Sequence, residues 1–111
     1  MKNKKPTDQV KPGQIRRNRA RTGHPASIVK VAKKRVDFIG ITEAKSIHGK
    51  KNVELEVNPE PNNTEKAYLR PEVETIELRP RTFGPNLKDW KIADIDKPKV
   101  KEIIKNSNKK R

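Results

Sequence analysis

The stretch "ASIVKVAKKRVDFIGIT", residues 26–42, decides how this chain folds. Its first part, "ASIVKVA", is rich in β-branched residues and reads as a strand over 26–32, with Pro25 at the start, where a missing N–H does no harm. "KKR", residues 33–35, makes a short basic turn. "VDFIGIT" is a second strand over 36–42, more continuously apolar at Phe38, Ile39 and Ile41. Gly40 within it marks either a bulge or a close approach of another part of the backbone. The spacing predicts a hairpin, which brings the start of the first strand beside the end of the second and makes His24 a neighbour of Thr42.

Beyond the hairpin, "KSIHGKK" (45–51) reads as a turn and "NVELEVN" (52–58) as a half-buried strand. Val53, Leu55 and Val57 are expected on one face of it, Glu54 and Glu56 on the other. "PEPNNTEK" (59–66) is turn-rich by composition. "AYLRPEVETIEL" (67–78) is a further extended segment bent at Pro71, which puts part of it on an edge. "RPRTFGPNLKDWKIADID" (79–96) is irregular, with Phe83, Leu87, Trp90 and Ile92 pinned to the core of a chain that has four aromatic residues. Asp96 stands where a helix N-cap would, Pro98 fits a first turn, and Val100, Ile103 and Ile104 supply the apolar stripe of a short amphipathic helix.

The fold class expected is therefore mainly β with one C-terminal α-helix: a small antiparallel curled sheet or partly open barrel, with the helix over one end. Residues 1–22 read as a basic disordered arm, 23–105 as a single domain and 106–111 as a basic tail. No internal repeat is evident.

The net charge of +14 is unevenly laid out. Residues 1–22 carry +7, residues 30–51 carry +5, residues 52–78 carry −5 and residues 79–111 carry +7. Two basic blocks around one acidic region give a surface with a positive side, the footprint of a polyanion binder. The plainer alternative is a soluble domain with a basic tail. There is no cysteine, which excludes disulfides and thiolate metal sites. No apolar run approaches the roughly 18 residues of a membrane span, and no apolar stretch follows the first lysines as a secretory signal would. The expected location is cytoplasmic, with no membrane partner.

No Gly-rich phosphate loop, helical metal-binding histidine pair or nucleophile elbow is present, so neither a metal nor a cofactor is called for. What remains is a constellation at the ends of the first two strands: His24, Thr42, Glu43, Ser46 and His48. Around it stand Arg16, Arg17, Arg19 and Arg21 before the first strand, Lys45, Lys50 and Lys51 beyond the second, and Arg70. Lys33, Lys34 and Arg35 in the intervening turn complete the basic residues assigned to nucleic-acid binding. A histidine, a hydroxyl and several cations are what cleavage of RNA by its own 2′-hydroxyl requires: a base, charge stabilisation for the phosphorane and an acid for the leaving oxygen. His24, Thr42 and His48 are the catalytic candidates. Each also has an ordinary reading, His24 as a strand-start residue, Thr42 as a strand residue and His48 as a turn residue. Arg70 could equally pair with nearby glutamates, and Tyr68 is the candidate for stacking a base, although the aromatic platform of RNA-recognition domains is absent.

The order of "HPASIVKV", "FIGITEAKS", "AYLRPEVETIEL" and "LKDWKIADIDKPKVKEII" resembles the PemK/MazF family of toxin endoribonucleases, over about residues 23–105. The resemblance implies an SH3-like barrel with a C-terminal helix, often dimeric, that cuts single-stranded RNA without a metal. The family's threonine carries over onto Thr42. Its arginine before proline, which stabilises the charged transition state, falls on His24, and Glu43 stands where a small hydroxyl residue is usual. Two readings from other classes remain: a non-enzymatic accessory protein that binds RNA or DNA, and a protein-binding module that covers an acidic partner or blocks the groove of a nucleic-acid enzyme. The partners called for are thus nucleic acid, RNA ahead of DNA, together with an acidic protein or antitoxin and a second copy of the chain.

Overall fold

The computed structural model describes residues 9–21 and 23–109. The hairpin forms as the sequence predicts. Strands β2 (Pro25–Val31) and β3 (Arg35–Thr42) pair antiparallel, with Ala26 opposite Gly40 and Ile28 opposite Phe38. After that pair the register shifts, Lys30 facing Asp37 and Val31 facing Val36, so Val29 is an extra residue in β2. The bulge has a packing consequence. Ile28 and Val31 are an odd number of residues apart yet belong to the same apolar cluster, while Val29 packs on the other face of the sheet.

β3 is the axis of the molecule. Along its second edge run β7 (Tyr68–Leu69), opposite Thr42 and Ile41, and β8 (Glu74–Glu77), opposite Phe38 to Arg35. The extended segment 67–78 is thus interrupted around Pro71, as expected. The Arg70 N–H still bonds the Gly40 carbonyl at 2.9 Å within the gap. β6 (Val53–Glu54) pairs with β7, and β4 (Ser46–Ile47) with β5 (Lys50–Lys51) as a separate small hairpin. His48 and Gly49 join that hairpin with φ of 52° and 77°, the two left-handed residues of a tight turn whose twist suits the flanking strands.

The N-terminal segment departs from expectation. Ile15–Arg17 form β1, antiparallel to β2, and Ile15 is fully buried. The chain between 82 and 87 lies along the outer side of β1, bonded through Arg19 N–H to Thr82 O, Gly84 N–H to Arg17 O and Leu87 N–H to Ile15 O. The part of the expected disordered arm at 15–17 is therefore a strand at the end of the sheet, with the 82–87 segment along its outer side. Residues 1–8 and 22 of that arm lie outside the described residues, as do 110 and 111 of the expected basic tail.

Two apolar clusters occupy the two faces of the β2–β3 hairpin. One gathers Ile15, Ile39, Ile41, Leu55, Ala67 and Leu69 beneath Ile103 of the helix α1 (Lys97–Lys109), with Leu87, Trp90, Ile92, Val100 and Ile104 packed against it. The other holds Ala26, Ile28, Val36, Phe38 and Phe83, with the Phe38 and Phe83 rings edge to face at 5.8 Å. Such a ring pair contributes about 0.5–1.5 kcal/mol beyond its buried area. The molecule is mainly β, with a curled antiparallel sheet that does not close into a barrel and one C-terminal helix. Among the described residues no helix is long and apolar enough to cross a membrane.

The strand expected over 52–58 stops after Glu54. Leu55 is buried as predicted, but Val57 is 48% exposed. The cause lies forty residues later in the chain, where the carboxylate of Asp96, just before α1, accepts the N–H groups of Glu56 and Val57 at 2.8 and 3.0 Å. Those donors turn toward a buried carboxylate and leave the ladder, and the alternation loses its structural meaning after Leu55. Lys99 stands 3.1 Å from the same carboxylate and donates to the Glu54 carbonyl at 2.7 Å. Helix start, strand end and Lys99 are thereby tied at one point. α1 itself runs to Lys109, so residues 106–109 of the expected tail are helical.

Candidate functional site

Continuing the β2–β3 register beyond Ala26 and Gly40 sets His24 opposite Thr42, at the end of the sheet away from the 32–34 turn. Two clefts meet there. The larger, about 510 Å³, is lined by Arg17, Trp90, Glu43, Ala44, Glu60 and Asn63 among others. The smaller, about 230 Å³, is lined on the opposite face by Asn18, Arg21, Phe38, Gly40, Arg70 and Glu74. His24, Pro25, Ile41, Thr42 and Ile47 border both. The sequence-derived pair His24 and Thr42 therefore forms the rim shared by the two hollows.

Local structure fixes this rim. Gly23, with φ of 77°, lets the chain reverse out of β1 into β2, and its N–H bonds the Asn18 carbonyl while the Asn18 N–H bonds the His24 carbonyl. The His24 backbone is held and its side chain is exposed at the lip. Thr42 ends β3, and its Oγ1 accepts the Ala44 N–H at 3.1 Å, closing the turn that leads to β4. The Thr42 O–H remains a donor in that arrangement, because the oxygen is used there as an acceptor.

The cations at this end of the sheet stand in four places. Arg17 belongs to the larger cleft, its guanidinium 5.7 Å from the centre of the Trp90 ring and bonded to the Gly23 carbonyl. Arg21 and Arg70 belong to the smaller cleft, Arg21 paired with Glu74 at 2.8 Å. Lys45, Lys50 and Lys51 are exposed in and beside the β4–β5 hairpin, whose Ile47 borders both clefts, and Lys50 lies 3.4 Å from Glu72. Arg19 is exposed and lies against Gly84, where a Cβ would meet its guanidinium at 3.0 Å.

Three assigned groups lie apart from the two clefts. Arg16 is 2% exposed, and its guanidinium donates to Gln14 Oε1, the Gly84 carbonyl and the Gln9 carbonyl at 2.8–2.9 Å. It ties β1 to two flanking segments and presents nothing to a ligand. Lys33, Lys34 and Arg35 stand at the far end of the hairpin, about 20 Å away at roughly 3.3 Å per strand residue, beside a separate shallow hollow. His48 sits exposed at the tip of the β4–β5 turn and borders neither cleft, a placement that fits its reading as a turn residue.

Tyr68, the stacking candidate, is 6% exposed in the sheet, whereas Trp90 packs against the core as expected and, half-buried, also lines the larger cleft. The acidic lining of the site, Glu43, Glu60 and Glu74, was legible only as the charge reversal over 52–78 and a single departure at 43. Asn58, Glu60 and Asn63 reach the cleft because the 58–65 segment is built from side-chain-to-backbone turns, Asn58 Oδ1 accepting from Glu60 N–H and Asn63 Oδ1 from Glu65 N–H. Among the described residues no group of three or more histidine or carboxylate side chains is arranged to hold a metal ion.

No family model matches the chain, and neither a curated protein nor a solved structure matches it. The site's own geometry is what bears on function.

Proposed function

We propose that the protein binds single-stranded RNA across the two clefts and cleaves it without a metal, by attack of the RNA 2′-hydroxyl on the adjacent phosphorus, in keeping with the resemblance to the PemK/MazF endoribonucleases. The observation that carries this reading is that His24 and Thr42, cross-strand neighbours, share a rim that Arg17 and Arg21 approach from opposite faces. The 2′-oxygen bonds to phosphorus, the bond to the 5′-oxygen breaks, and a 2′,3′-cyclic phosphate and a 5′-hydroxyl result. His24 exchanges the proton with the attacking or leaving oxygen, and the Thr42 O–H donates to a non-bridging oxygen of the phosphorane. The Trp90 ring offers an apolar face to a base, and the exposed arginines and lysines around the rim meet the flanking phosphates. RNA is favoured over DNA because the nucleophile is the 2′-hydroxyl. A cytoplasmic location, a toxin role with an acidic antitoxin, and pairing of two copies belong to the same reading.

A second reading has an observation in its favour. Thr42 is only 9% exposed, and Glu43 and Glu60 bring negative charge to the larger cleft, which opposes the build-up of charge on a phosphorane there but lets the carboxylates accept hydrogen bonds from base N–H groups. In that case the protein is a nucleic-acid-binding accessory protein. Incubation with a mixed-sequence single-stranded RNA in EDTA, read on a sequencing gel beside the His24→Ala and Thr42→Ala variants, separates the two. Cleavage lost in both variants while binding persists supports the ribonuclease. Intact RNA that shifts on a native gel, with affinity falling steeply with salt, assigns the binder.

A further inference from the structure

We propose that Arg70, aimed by Gly40 and held by Asn52, is a fixed cation that clamps one phosphodiester of the RNA at the His24–Thr42 rim; this rests on the RNA reading above. Gly40 faces the smaller cleft from the middle of β3, and a Cβ built there would lie 3.0 Å from Arg70 Cγ. The missing side chain is thus the space that the Arg70 stem occupies beside β3, before its guanidinium reaches Asn52 on the opposite side. The backbone on which Arg70 sits is fixed as well, its N–H bonded to the Gly40 carbonyl.

The guanidinium end is held by a neutral group. Arg70 Nη1 donates to Asn52 Oδ1 at 2.6 Å, and Asn52 is itself anchored through its Nδ2 to the Ala44 carbonyl at 2.8 Å and through its N–H to the Lys45 carbonyl. Ala44 in turn donates to Thr42 Oγ1. One chain of bonds therefore links Arg70 to the rim hydroxyl. The nearby carboxylates are engaged elsewhere, Glu74 by Arg21 and Glu72 by Lys50. Among the described residues Arg70 has no ion pair. A half-buried guanidinium positioned by an amide keeps its full positive charge and its remaining donors in the fork geometry that suits a phosphate.

The test uses a fluorescently labelled mixed-sequence single-stranded RNA with 2′-O-methyl groups, which cannot be cleaved, so that binding is read by anisotropy separately from cleavage of the unmodified RNA. Arg70→Ala is expected to weaken binding at least tenfold and to lower the slope of log K against log salt by about 0.7, the value for one lost contact to a single strand. Arg70→Lys keeps the charge but not the fork, and falls between Arg70→Ala and the unaltered protein. Asn52→Ala, which leaves the cation in place but unheld, is expected to lower the cleavage rate several-fold, and the double variant to be no worse than Arg70→Ala alone. Thermal melting controls for folding, and Arg70→Lys and Asn52→Ala keep the test open if Arg70→Ala does not fold. If the unaltered protein binds the RNA and the salt slope is unchanged by Arg70→Ala, the clamp is refuted while the RNA reading stands. If the unaltered protein does not bind the RNA at all, both fall.

Discussion

Replacing Asp96 by alanine should be among the most damaging single changes in the molecule. The carboxylate is fully buried, accepts two backbone N–H groups from residues 56 and 57, and pairs with Lys99. Alanine leaves both N–H groups without an acceptor, at roughly 1–3 kcal/mol each, and removes the carboxylate from a partly buried lysine. Lys99 retains the Glu54 carbonyl and a more distant Glu56, which softens that last loss. The expected cost is about 3–5 kcal/mol, a large fraction of the roughly 5–15 kcal/mol that stabilises a domain. Asp96→Asn keeps one acceptor oxygen but turns an amide N–H₂ toward the second donor, and should cost about half as much.

Urea unfolding measures both variants, and a loss below about 1 kcal/mol in Asp96→Ala would show that the 56–57 turn does not depend on this carboxylate. The pH dependence is a second reading of the same contact. Burial pushes the Asp96 carboxyl up, but the N–H groups of Glu56 and Val57 and the Lys99 ammonium more than offset it and hold the group below its ordinary value of 3.8. A depressed carboxyl stabilises the fold fully above that ordinary value and loses its contribution as pH falls through the lower, folded value. The unaltered protein should therefore weaken below about pH 4, and Asp96→Asn should show a shallower loss over that range.

Arg16→Ala is expected to cost about 2–4 kcal/mol, because the Gly84 and Gln9 carbonyls and Gln14 Oε1 each lose a charged donor and a buried side chain is removed, while the salt slope of RNA binding in the folded fraction stays as it was; a changed slope with unchanged stability would return Arg16 to the binding surface. At the tip of the β4–β5 turn, His48→Asn should leave RNA cleavage unaltered and hold or slightly raise the melting temperature, since asparagine tolerates φ of 52° better than histidine does. Loss of cleavage in a fully folded His48→Asn protein would make this histidine catalytic after all.

What the sequence discloses about this fold depends on how far apart the interacting residues are in the chain. The β2–β3 hairpin was legible because its apolar, β-branched residues are dense and its turn is short. The bulge at Val29 was not, because Ile28, Val29 and Val31 are all apolar and satisfy either register. β1 was hidden by an assumption that holds for most arginines: a cluster of four within six residues reads as a solvated run. Arg16 is buried because its acceptors include the carbonyls of residues 9 and 84, and nothing in residues 15–17 announces the second of these. The alternation at 52–58 misled in the opposite direction. It is a sound strand pattern that ends early because Asp96, remote in sequence, captures two of its N–H groups.

The site follows the same division. The His24–Thr42 neighbourhood needs only the hairpin register, so local pattern was enough to find it. Arg70 and Asn52 meet only after β7 has paired with both β3 and β6, two contacts of longer range that no single periodicity encodes. Gly40 is the one local sign of that meeting, and its two readings, bulge or close approach, have opposite consequences for the site. The bulge in fact lies across the hairpin at Val29, which leaves β3 straight at residue 40 and makes the absent side chain the space that the Arg70 stem occupies. A substitution that fills that space, Gly40→Ala, acts on the guanidinium through sterics alone, without touching its charge or its asparagine. That separates the position of the cation from its presence, which Arg70→Ala by itself cannot do.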